Sequence, residues 1–179
     1  MKLSAALPFA LAAAAFIVTA RADETGKLDE ALEPLRPFLG KTWRGEFKDS
    51  TPEKPMVDVA RWERALNGRA VRVLHSVNEG VYGGESIIRW DPEQKTLVYH
   101  YFTTAGFATT GTMTIAGGVI TSVEKVIGKS EVSEVRSTSE LRPDGSMVSK
   151  AEYLNKDGKA SGGREITYKE DAKAGVKWR

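Results

Sequence analysis

The sequence predicts an all-β fold, an up-and-down antiparallel barrel of about ten strands with a short N-terminal helix. Three observations predict it. From Lys41 onward the hydrophobic period is two rather than helical. Tight-turn signals recur at short, regular intervals, and no helical segment long enough for a parallel crossover lies between them.

The amino terminus comes first. Lys2 supplies a positive start, and Leu3 to Thr19 is an apolar run broken only by Ser4 and Pro8. It closes with Ala20-Arg21-Ala22 before Asp23-Glu24, a small-x-small pattern that signal peptidase accepts. Residues 1–22 are therefore expected to be a cleaved secretory signal. The run falls short of the roughly 20 residues needed to cross a bilayer, which argues against a retained anchor. The expected destination is the bacterial periplasm or the exterior, with no membrane span after cleavage.

Residues 25–39 are the one helical stretch. Leu28, Leu32, Leu35 and Leu39 share a face, and Pro34 and Pro37 limit the helix to one or two turns and a bend. Such a face needs a surface to cover, and the end of a barrel provides one. Strands are then expected at 41–49, 55–66, 69–79, 84–91, 96–103, 107–115, 118–127, 131–141, 146–154 and 160–169. Asn67-Gly68 suits a two-residue type I′ hairpin, and Gly117-Gly118, Pro143-Asp144-Gly145 and Asp157-Gly158 mark further turns. Closure into a barrel hides both edges of such a meander, which favours it over a sandwich. Residues 23–170 thus read as one domain and 171–179 as a tail.

From Leu39 the residues run Gly40-Lys41-Thr42-Trp43-Arg44-Gly45-Glu46-Phe47, with echoes in Asn67-Gly68-Arg69 and in Gly84 to Asp91. This layout resembles the calycin-like small barrels, including lipocalin-like families that open with a leucine-rich helical turn followed by Leu-Gly-x-Trp-x-Gly. Here two residues separate Gly40 from Trp43 in place of one. The resemblance implies an up-and-down barrel with an internal cavity and with Trp43 packed across its closed end. Nitrobindin-type haem barrels are related in layout, but they use a histidine near the carboxyl end of the barrel. The last strand here, Gly163 to Lys169, has none, so no haem or other cofactor is expected.

Composition excludes several chemistries. There is no cysteine, hence no disulfide, thiol nucleophile or Cys-ligated metal. The histidines, His75 and His100, stand far apart, and no Asp-x-Asp-x-Asp-Gly loop occurs, so no metal site is expected. Gly-x-Ser-x-Gly, Ser-x-x-Lys and phosphate-loop motifs are absent. Removal of Lys2 and Arg21 leaves 24 basic side chains against 24 acidic ones, and this neutrality gives no support for nucleic acid as a partner. Trp43-Arg44, Arg61-Trp62 and Arg89-Trp90 each read as one inward aromatic and one outward Arg, because adjacent strand residues face opposite ways.

Strand 96–103 is the most aromatic, and His100 lies in it between Tyr99 and Tyr101. An imidazole there could act as base or hydrogen-bond partner. Trp43, Trp62, Tyr99, His100 and Tyr101 are the expected lining of a cavity for a small, largely apolar ligand. His75, in Val71-Arg72-Val73-Leu74-His75, reads as structural. No residue is assigned a catalytic role. Whether the barrel is hollow or packed solid stays open at this level. So do two other functions: an envelope interaction or inhibitor protein using its outer face or its basic tail with Trp178, and an enzyme with acid–base chemistry at His100.

Overall fold

The computed structural model describes residues 26–128 and 131–178. The expected signal segment and its cleavage point lie outside the described residues. Ten strands follow one another: β1 Thr42–Phe47, β2 Val57–Ala65, β3 Ala70–Val77, β4 Tyr82–Asp91, β5 Thr96–Thr103, β6 Ala108–Ala116, β7 Val119–Ile127, β8 Val132–Leu141, β9 Met147–Asn155 and β10 Ala160–Glu170. Each pairs antiparallel with its sequence neighbour, and β1 pairs with β10, so the sheet closes on itself. Closure leaves no edge strand for another chain to extend.

The helical expectation holds in place and changes in kind. Glu30–Phe38 forms a nine-residue 3-10 helix with Pro34 and Pro37 inside it and Asp29 accepting from the Ala31 N–H at 3.2 Å. Leu28, Leu32, Leu35 and Leu39 are all buried, with Phe38 beside them. They cover one end of the barrel, where Trp43, Trp62, Val71, Ile88 and Leu97 meet them. Trp43 donates to the Phe38 carbonyl at 3.4 Å. The other end carries the β1–β2 loop, and among the described residues its helical structure is the three-residue 3-10 turn Asn78–Gly80.

Turn chemistry follows the sequence at Gly117-Gly118, where two residues with φ of 58° and 80° join Ala116 to Val119. The Asn67-Gly68 turn differs from the two-residue hairpin expected. Its flanks, Ala65 and Ala70, are paired, and Leu66, Asn67 and Gly68 all have positive φ. Asn78, Glu79 and Gly80 repeat the same left-handed run between β3 and β4, so the four-residue loop itself sets this shape, and here a second segment packs onto it. Asp29 N–H donates to the Gly68 carbonyl at 2.8 Å, and a Cβ at Gly68 would lie 1.9 Å from the Lys27 carbonyl oxygen.

The C-terminal tail lies along the barrel. Lys177 N–H donates to the buried Ser76 Oγ at 3.0 Å, the Lys177 ammonium pairs with Glu79, and the Trp178 ring rests near Gly83. Trp178 stays half exposed on its other side.

Candidate functional site

The barrel is hollow. A cavity of about 490 Å³ lies within it, in the size range of small-molecule sites. Its lining divides along the barrel axis. Toward the covered end it is mostly apolar, with Ala60, Trp62, Val73, Met147 and Ile166 beside Ser139 and Ser149. Phe38 stacks behind Trp62 at 5.2 Å between ring centroids, so Trp62 is a floor with packed core below and cavity above. Above it the lining carries a belt of Asp58, His75, Tyr101, Glu124 and Arg164, and at the open end Tyr82 stands among Phe47, Val77, Phe107, Val126 and Val132.

These polar residues are organised by two glycines. A Cβ at Gly45 would lie 2.5 Å from the Tyr168 ring, and one at Gly84 would lie 2.3 Å from the Tyr101 ring. Without side chains there, each tyrosine can lie flat across a neighbouring strand. Tyr168 crosses β1 to reach β2, donating to Asp58 Oδ2 at 2.7 Å. Tyr101 crosses β4 to reach β3, where its hydroxyl meets His75 Nε2 at 2.7 Å. Asp58 and His75 join the two halves through Oδ1 and Nδ1 at 2.7 Å, and Tyr82 and Tyr101 hydroxyls stand 2.8 Å apart.

Proton positions along the chain follow from the imidazole. When it is neutral with Nδ1–H donating to Asp58 Oδ1, Nε2 accepts from Tyr101 and Tyr82 donates to Tyr101; when both nitrogens carry protons, Tyr101 accepts from Nε2 and donates to Tyr82. Burial holds the Tyr101 hydroxyl well above the usual phenol pKa, with Tyr82 adding to the effect, so it stays a neutral donor. Tyr99 is pushed up in the same way, first by burial and then by the neighbouring Glu124.

Glu124 lies on the inward face of β7 and accepts a hydrogen bond from Thr109. Burial raises its pKa, opposed by the Thr109 bond and the charge of Arg164. Arg164 projects from β10. Burial opposes its charge, but Tyr168, Tyr153, Asp58 and Tyr101 around it prevail and its pKa rises.

The residues picked from sequence divide accordingly. Trp62, Tyr99 and Tyr101 line the cavity together. Trp43 does not; it is buried one layer lower, in the plug under the helix. His100 does not either, because it alternates with Tyr99 and Tyr101 and so faces out, where it is exposed. His75 takes the inward position that His100 was expected to hold. The signal for it was the alternation Val71, Val73, His75, Val77, which puts this histidine on the valine face. Asp58, Glu124 and Arg164 were missed because acids and arginines elsewhere in the strands sit on the outer face, as in the Arg72–Glu85 pair. Among the described residues no three His, Asp or Glu side chains converge as a metal site would require.

No family model and no curated protein matches the sequence. Among solved structures, the crystal structure of Rv2717c from M. tuberculosis superposes with a TM-score of 0.60 at 14% identity, covering 81% of this chain and 99% of that one. The two share a fold. At this identity the likeness extends no further.

Proposed function

We propose that this protein is an exported, lipocalin-like barrel of the calycin type that binds one small molecule in its interior. The observation that carries the reading is a 490 Å³ cavity with a mostly apolar floor and a belt of polar side chains above it. A packed barrel would be stabilised by filling that space, and cavities lined by aliphatic and aromatic groups cost stability when empty. A ligand with an apolar body and a polar end matches both zones, which refines the largely apolar ligand expected from sequence. Export and release into the periplasm or exterior fit the amino-terminal apolar run.

The test is a titration with N-phenyl-1-naphthylamine, an uncharged fluorescent probe, read by quenching of Trp62. Saturation at one equivalent is expected. Val73→Trp, which fills the floor, should abolish it while the variant still unfolds cooperatively. Binding that does not saturate, or that survives the filled floor, contradicts the reading.

One observation favours a second reading, acid–base catalysis inside the same cavity: the continuous chain Tyr82–Tyr101–His75–Asp58. A histidine held by a carboxylate and aimed at a hydroxyl is suited to moving a proton. This reading expects bound ligand to be chemically converted, and conversion to be lost in His75→Gln with probe binding intact. Recovery of every bound ligand unchanged contradicts it.

A further inference from the structure

Arg164 is the polar group that the cavity leaves unanswered. Its charge is felt from many sides of the barrel, by Asp58 on β2, Tyr82 on β4, Tyr101 on β5, Glu124 on β7 and Tyr168 on its own strand. Its side chain lines the cavity. Among the described residues it nevertheless makes no hydrogen bond or salt bridge. Both nearby carboxyl groups are engaged elsewhere. Asp58 accepts from Tyr168 and lies on His75 Nδ1, and Glu124 accepts from Thr109.

A guanidinium is always protonated and offers five N–H donors in a planar fork. A part-buried guanidinium that lines a cavity without a fixed acceptor gains when an acceptor enters. Among the described residues no group supplies that acceptor, which leaves the position open to a ligand. The neighbours restrict its charge. With Asp58 and Glu124 both near, a dianion such as a phosphate would meet two acids and one cation. A carboxylate brings a single charge and a planar pair of oxygens that matches the fork. Tyr82 and Tyr101 hydroxyls border the same space.

We propose that Arg164 is an anion subsite that holds the carboxylate of the ligand, whose apolar body lies below it on Ala60, Trp62, Val73, Met147 and Ile166. The ligand class is thus an amphipathic monocarboxylic acid. The assignment rests on the cavity being a binding site, and the test separates the two.

The experiment measures affinities of the purified protein for decanoate, 1-decanol and decylamine, which share one apolar length. Decanoate should bind at least about tenfold more tightly than 1-decanol, a difference of about 1.4 kcal/mol. Arg164→Met should erase that preference and leave the alcohol's affinity unchanged, and thermal unfolding checks that the variant is folded. Equal binding of acid and alcohol by the wild-type chain overturns the subsite while keeping the cavity reading. So does a preference that survives in Arg164→Met. Tightest binding of decylamine would assign the upper wall to Asp58 and Glu124 instead. If none of the three binds, the binding reading falls and the subsite falls with it.

Discussion

At the covered end of the barrel, inward positions carry Trp43, Trp62, Val71, Ile88 and Leu97, and the helix fills what they leave with Leu32, Leu35 and Phe38. A few residues further along the same strands, inward positions carry Asp58, His75, Tyr101, Glu124 and Arg164, and space remains. The alternation is identical in both regions, since β2 places Asp58, Ala60 and Trp62 on one face, and β3 places Val71, Val73 and His75 on one face. What changes is the content. The lower layer gains stability by excluding water from aromatic and aliphatic area. The upper layer spends part of that stability on buried polar groups that satisfy one another, with Arg164 left over. A barrel needing only to fold would not require the second layer.

Mutations should break this contrast in graded steps. The largest effect belongs to the lower region: Trp43→Ala, at 1% exposure, should cost about 3–5 kcal/mol by urea unfolding. Gly45→Ala acts in the upper region through packing, because the new methyl group collides with the ring of Tyr168. It should cost about 1–3 kcal/mol, and Tyr168→Phe in the same chain should add much less than it costs alone, since both act on one contact to Asp58. Full additivity would mean that Tyr168 and Gly45 are independent.

Glu124 sharpens the contrast through pH. Its folded pKa is raised by burial, so the stability associated with its proton is present below the ordinary carboxylate range and is lost as pH rises through the folded value. The difference in unfolding temperature between wild type and Glu124→Gln should therefore grow as pH rises from about 4.5, with the variant the less pH-sensitive. The smallest effect is expected at His100, on the outer face. His100→Ala should stay within about 0.5 kcal/mol of wild type and leave probe binding unchanged.

Most of the architecture was legible in the sequence because closure, strand number and helix placement depend on period and turn residues, and these are local signals. Glycine pairs and Asx residues located the turns, and four leucines located the plug. The Asn67-Gly68 turn was misread because the loop also takes in Leu66 and Arg69, neither of which is a residue type that marks a turn. The site was half legible. Tyr99, Tyr101 and Trp62 stand out as aromatic residues, although strand 96–103 is apolar or aromatic at nearly every position and so hides its parity. His100 drew attention from its aromatic neighbours although those neighbours force it outward. The roles of Gly45 and Gly84 as beds for Tyr168 and Tyr101 depend on contacts across strands, and no spacing along the chain reveals them.

The most direct test of the central claim is native mass spectrometry of the protein isolated from its own source, compared with its mass under denaturing conditions. A cavity that serves as a binding site predicts one discrete excess mass that disappears on denaturation, with the fragmentation of a carboxylic acid. A mass equal to that of the polypeptide alone, unchanged between the two conditions and after incubation with the decyl series, would contradict it.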